Sequence, residues 1–80
     1  MQGIVQLDLH NKNKFQSRIA LDGLLRRADG SVYRIRVIHG YNSGTEIKDL
    51  LAEEYSRHPK VLRLQHYPNK GQTDLILREL

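Results

Sequence analysis

Two short apolar runs, each ended by a histidine and each followed by a helical pattern, constrain the fold of this chain most strongly. The first covers residues 4–9 and leads to His10, and the second covers residues 32–39 and ends on His39. Apolar and polar residues alternate in both runs, which predicts strands that bury one face. A strand, a helix and a second strand form a right-handed crossover with parallel strands. Because ligands gather at the carboxyl-terminal edge of such sheets, we expect Asp8, His10 and His39 to meet there.

The rest of the sequence supplies two helices and two more strands. Apolar residues at helical spacing, bounded by cap and stop residues, predict one helix over residues 13–28 and another over residues 43–58. Apolar runs over residues 61–67 and 74–80 predict two further strands, which a hairpin loop over residues 68–73 makes antiparallel. The predicted fold is therefore α/β, a βαβαββ two-layer sandwich with a mixed four-stranded sheet and two helices on one face.

Composition limits the kind of protein this can be. A chain of 80 residues has room for one hydrophobic core, so a single domain is predicted over residues 1–80. Because the chain has no cysteine, disulfides, thiolate metal sites and cysteine nucleophiles are excluded. No apolar stretch approaches the ~20 residues that span a bilayer, and no basic segment precedes an apolar one at the amino terminus. We therefore expect a cytoplasmic protein with no membrane partner.

The charge balance favours a polyanionic partner. The formal net charge is +4 and the isoelectric point is about 9.7, which suits DNA or RNA. Alternation predicts that Arg34, Arg36 and Arg63 project from the open face of the sheet, where they would position a phosphate backbone. Tyr41 and Tyr67, near the loops, would stack on unpaired bases. The alternative is a solvated sheet face that charge keeps soluble.

Three motifs in register resemble the Smr (small MutS-related) domain, over residues 5–80. The motifs are Leu7-Asp8-Leu9-His10, then His39-Gly40 with Gly44 opening a helix, and Gly71-Gln72-Thr73 before the last strand. The sequence departs from the family at Asn11 and Asn42, where glycine is usual. The resemblance implies a fold similar to the carboxyl-terminal domain of translation initiation factor three. It also implies a nucleic-acid-binding module, with nicking endonuclease activity on DNA or activity on RNA in several members.

Asp8, His10 and His39 are the candidate catalytic residues. Asp8 and His10 are two apart on a strand, so both side chains leave the same face. His10, with an ordinary pKa of ~6.5, can accept a proton near neutrality, and Asp8 can orient it or hold a divalent ion. Alternatively, Asp8 pairs with Arg34 or Arg36. His39 is predicted either to bind phosphate or share proton transfer, or to be structural, donating a ring hydrogen to a loop carbonyl.

A second set of residues is predicted to hold phosphate beside this cluster. Glycines that open a helix allow close backbone approach, and a lysine and a hydroxyl add charge and hydrogen bonding. These residues are Gly40, Gly44, Lys70, Gly71 and Thr73.

No functional role is predicted for His58 or His66. No metal-ligand spacing is present, so no metal site is predicted, although Mg²⁺ or Mn²⁺ stays open as a cofactor of cleavage. The alternative function is a non-catalytic DNA- or RNA-binding or ribosome-interaction module.

Overall fold

The computed structural model describes residues 3–40 and 46–79. Within these residues the elements follow the predicted order, with two strand–helix units before a final pair of strands. They are β1 (Ile4–Asp8), α1 (Lys14–Arg27), β2 (Arg34–Ile38), α2 (Glu46–Glu54), β3 (Arg63–Tyr67) and β4 (Gln72–Ile76). Short 3₁₀ turns at Tyr55–Arg57 and Pro68–Lys70 follow α2 and β3. The βαβαββ order is therefore confirmed.

The strands form one mixed sheet in the order β1-β2-β4-β3. β1 and β2 are parallel, as their crossover requires, whereas β4 runs antiparallel to both β2 and β3. The last strand in sequence thus lies inside the sheet, and β3 forms an edge. This arrangement confirms the mixed four-stranded sheet for the residues described.

The start of the last strand was predicted two residues too late. β4 begins at Gln72 rather than Asp74, and it ends at Ile76. The connection is shorter than the predicted loop because Gly71 adopts a left-handed conformation, with φ of 57°, directly after the 3₁₀ turn. Glycine accepts positive φ without the steric cost that a Cβ would impose. Gln72 and Thr73 consequently lie within the sheet and not in a loop.

Both helices pack on one face of the sheet. Asn13 caps α1, since its side chain accepts the Gln16 N–H at 2.8 Å and the Gln16 side chain accepts the Asn13 N–H at 3.0 Å. The Tyr55 hydroxyl, just after α2, donates to Asp22 of α1 at 2.6 Å. The core between helices and sheet is aliphatic. It includes Leu9, Leu21, Leu25, Ile35, Val37, Leu50, Leu51 and Leu75, all 0–1% exposed.

Candidate functional site

The carboxyl ends of β1, β2 and β3 meet the start of β4 at one edge of the sheet, which we call the rim. The rim comprises residues 8–10, 39–40, 66–68 and 70–73. Parallel β1 and β2 bring their ends together here, and the antiparallel β4 begins here. The rim therefore gathers residues from all three motifs that the sequence singled out.

Asp8 and His10 form an exposed hydrogen-bonded pair at the rim. Asp8 Oδ1 lies 2.5 Å from His10 Nδ1 and also accepts the His10 backbone N–H at 3.1 Å. The two side chains are 52% and 51% exposed. The hydrogen bond from the His10 ring, more than any other contact, lowers the pKa of Asp8. A carboxylate at Nδ1 favours the tautomer whose Nε2 can accept a proton.

His39 belongs to the same rim but to the opposite face of the sheet. Asp8 pairs with Ile38 across β1 and β2, so Ile38 shares its face and the next residue, His39, points toward the helices. The His39 side chain is buried, at 7% residue exposure. The register therefore places the imidazole of His39 on the other side of the sheet from the predicted catalytic partners Asp8 and His10.

The ring of His39 has the structural role that was the alternative from sequence. Its Nδ1 lies 3.1 Å from the carbonyl oxygen of Gly40, and its Nε2 lies 2.9 Å from Thr73 Oγ1. Burial lowers the pKa of His39, while the hydrogen bond to Gly40 opposes that shift. His39 is therefore a neutral imidazole that joins the end of β2 to the start of β4.

Thr73 lies at the centre of a hydrogen-bond chain rather than at the surface. Its side chain is fully buried, and its hydroxyl also lies 3.0 Å from Nδ1 of His66. The hydroxyl that was predicted to contact phosphate is therefore engaged by His39 and His66 within the fold. His66, to which no role was assigned, is exposed and forms the outer end of the chain. The sequence did indicate that His66 and Thr73 lie close together, because the two residues flank a short turn.

Gly40 and Gly71 bring two backbone segments into close approach. Both have positive φ, 80° and 57°, and a Cβ on Gly71 would lie 2.7 Å from the Gly40 Cα. The Gly71 carbonyl accepts the N–H groups of His39 and Gly40, each at 2.9 Å. The N–H of Gly40 is thus used within the fold and not held ready for a phosphate. Tyr41 and Gly44, predicted to contact nucleic acid, lie outside the described residues.

Lys70 and Tyr67 form the outer part of the rim beside His66. The Lys70 ammonium lies 5.9 Å from the centroid of the Tyr67 ring, within cation–π range. A pocket of about 210 Å³ is lined by His66, Tyr67, Pro68 and Lys70. Lys70 is exposed, so the structure leaves it able to meet an anion.

The open face of the sheet holds a buried carboxylate that sequence reasoning missed. Asp74 is 0% exposed, and its Oδ2 accepts a hydrogen bond from Arg34 at 2.7 Å. Gln72 donates to the other oxygen at 2.9 Å, and Arg36 Nε lies 3.9 Å from it. Asp74 is the acidic residue of an otherwise uncharged strand, but its partners lie far away in sequence. Their contact depends on a register that alternation alone does not give.

Ion pairs reduce the positive charge that the open face offers. Arg34 is neutralised by Asp74, and Arg63 pairs with Glu79 at 2.7 Å. The pair between Arg63 and Glu79 is exposed, so it is worth at most ~1 kcal/mol and can exchange for a phosphate. Arg36, whose side chain is 37% exposed, lies 3.9 Å from Asp74 and is therefore held more loosely than Arg34. The three predicted arginines do lie on the open face, by their pairing with neighbouring strands.

In the described part of the chain, no three histidine, cysteine, aspartate or glutamate side chains come close enough together to hold a metal ion. No helix formed by residues 3–40 and 46–79 is both long and apolar enough to cross a membrane. Comparison with models of known protein families, with curated proteins and with solved structures gives no match to this chain.

Proposed function

We propose that the rim binds nucleic acid and that the Asp8–His10 pair cleaves a phosphodiester bond there. The observation that carries this proposal is an exposed imidazole whose Nδ1 is held by a carboxylate. Orientation by a carboxylate is what a general base needs, because it fixes the ring and stabilises the imidazolium that forms. The resemblance of the three sequence motifs to the Smr domain supports the same assignment.

The chemistry needs only groups that the rim and the nucleic acid supply. An attacking hydroxyl, from water or from a ribose 2′ position, forms a bond to phosphorus while its proton moves to Nε2 of His10. The bond between phosphorus and the leaving oxygen breaks, and the imidazolium returns the proton to that oxygen. Asp8 stabilises the positive ring between these steps. Charge on the non-bridging oxygens calls for nearby cations, and the exposed Lys70 and the loosely held Arg36 are the candidates.

The test compares wild type with His10→Ala on a supercoiled plasmid and on an RNA, with Mg²⁺, with Mn²⁺ and with a chelator. Removing a general base typically costs about 10²–10⁴-fold in rate, so His10→Ala is expected to lose cleavage at least ~100-fold. Its affinity for the same substrates should change by less than about threefold, since His10 is one contact among several. Arg57→Ala is the matched surface control, because Arg57 is exposed and follows α2 at the opposite end of the sheet. Equal cleavage by wild type and His10→Ala would remove His10 from the mechanism.

One observation favours the alternative of a binding module without catalysis. Both ring nitrogens of His39 are engaged within the fold, so this histidine does not supply a second acid–base group beside His10. The module still predicts binding that weakens steeply with salt, because phosphate contacts release counterions. Salt-sensitive binding with no product under any metal condition would select the module over the nuclease.

A further inference from the structure

The hydrogen-bond chain that crosses the rim has one direction. The Gly40 carbonyl can only accept, so Nδ1 of His39 carries the proton between them. The neutral ring of buried His39 then accepts at Nε2 from the Thr73 hydroxyl. That hydroxyl has a single proton, so it must accept from the Nδ1–H of His66. Neutral His66 is therefore fixed with Nε2 as a hydrogen-bond acceptor, and this nitrogen has no partner among the described residues.

The pocket at the end of β3 is lined by His66, Tyr67, Pro68 and Lys70, so an imidazole, an aromatic ring and a cation lie around it. His66 pairs with Thr73 and faces the helices, whereas Tyr67 lies on the open face, so the two rings flank the edge strand from opposite sides. The pocket volume of about 210 Å³ is below the ~300–1,000 Å³ usual for drug-sized ligands, so the pocket suits one base and not a larger molecule. The Tyr67 hydroxyl accepts a hydrogen bond from Arg34 at 3.1 Å, which holds the ring in place. Lys70 adds a positive charge at the same spot.

Strand register connects this pocket to the Asp8–His10 pair. Asp8 pairs with Ile38, Ile38 with Gln72, and Gln72 with Tyr67, so all four lie in one row on the open face. Asp8 and Tyr67 are three strand spacings apart, roughly 14 Å at ~4.8 Å for each spacing. A strand of nucleic acid that crosses the rim along this row meets both places, a few nucleotides apart.

We infer that the pocket at the end of β3 binds one unpaired nucleotide of the nucleic acid that reaches His10. The inference rests on the proposed function and adds the substrate class, which is a single-stranded segment. The base stacks on Tyr67 on the open face, and Lys70 binds the neighbouring phosphate. Where the nucleic acid passes the edge of β3, a base or ribose hydrogen-bond donor meets Nε2 of His66 on the other face. A paired base cannot enter, because its face is stacked within the duplex and its pairing edge is occupied.

Fluorescence anisotropy of the full chain tests this, with a labelled single strand of about ten nucleotides, within the ~4–16 nucleotides of known single-strand sites, and a duplex of the same sequence. All proteins carry His10→Ala so that the probes stay intact. His66→Asn is the key variant, because its amide can still donate to Thr73 from the Nδ1 position but lacks Nε2. It is expected to weaken binding of the single strand about three- to tenfold, as loss of one hydrogen bond does, and to leave duplex binding unchanged.

Two further variants separate stacking from charge. Tyr67→Leu is expected to weaken single-strand binding about 10- to 100-fold with little effect on the duplex, because it removes the stacking ring. Lys70→Gln should weaken both probes and reduce the salt dependence, since it removes a phosphate contact. Arg57→Ala should change neither. Thermal unfolding of each variant verifies that the fold is retained.

The outcomes separate this inference from the function on which it rests. If neither probe binds the reference protein, the proposed function and the inference both fail. If the reference protein binds both probes, but His66→Asn and Tyr67→Leu bind them as it does, only the nucleotide pocket is overturned. Nitrogen-15 NMR of the imidazole rings gives an independent check on the unmodified chain. Neutral His66 and His39 should both carry the proton on Nδ1, and a proton on Nε2 of His66 would contradict the acceptor.

Discussion

The Asp8–His10 pair and the His39–Thr73–His66 chain lie at the same rim, yet the two groups have opposite properties. The pair is about half exposed and is held by one hydrogen bond between side chains of neighbouring residues. In the hydrogen-bond chain, His39 and Thr73 are buried, and they join β2 to β4, which are far apart in sequence. The difference comes from one step along a strand. Ile38 shares the face of Asp8, and the next residue, His39, lies on the opposite face. The imidazole of His10 is exposed, whereas that of His39 is buried and joins two strands.

The largest difference between the two groups should be seen in stability. His39→Ala removes a buried ring and leaves the Thr73 hydroxyl and the Gly40 carbonyl without this partner, so the free energy of unfolding should fall by about 2–3 kcal/mol. His10→Ala, at an exposed position, should change it by less than about 0.5 kcal/mol. Urea denaturation of both variants measures the contrast. Equal losses would mean that the two imidazoles are structurally equivalent, against the burial described above.

A smaller effect should come from the link between the two ends of the buried chain. Thr73→Val keeps the shape of the side chain but removes the hydroxyl, which leaves both His39 and His66 without that partner at a cost of about 1–2 kcal/mol. Thr73→Ser keeps the hydroxyl and is the matched control for the loss of one methyl group. In a His39→Ala background, Thr73→Val should cost less than it does alone, since the shared hydrogen bond is already gone. Additive losses in this double-mutant cycle would show that the hydroxyl and the ring do not interact.

The sequence predicted contacts that are local and missed those that depend on strand register. Asp8 and His10 are two residues apart on one strand, so their shared face followed from alternation alone. The face of His39 was predictable in the same way, because His39 lies two residues after the buried Val37 and shares its side of the strand. The pairing of Asp74 with Arg34 joins residues on different strands, and the sequence does not show that β4 lies next to β2.

The same physics explains why the order of elements was predictable and one boundary was not. Hydrophobic periodicity marks where strands and helices occur, and this fixed the βαβαββ order. The start of β4 depends on Gly71, whose left-handed conformation closes the turn in fewer residues than the loop expected. The earlier boundary places Gln72 and Thr73 inside the sheet. For this reason Thr73, which was predicted to contact phosphate, lies buried in the sheet.

The last and smallest contrast between the two groups concerns pH. Burial, reinforced by the charges of Lys48 and His66, lowers the native pKa of His39 below the ~6.5 that it regains in the unfolded chain. Between these two values the unfolded chain binds more protons, so stability is complete above about pH 6.5 and falls as the pH is lowered through the native pKa. His39→Gln, whose side-chain amide can still accept from Thr73, removes this titration and should flatten the profile of unfolding free energy below about pH 6.5. His10→Ala keeps His39 and should retain the acid-side loss. A His39→Gln profile as steep as that of wild type would assign the acid sensitivity to another group and leave the burial of this imidazole without a thermodynamic consequence.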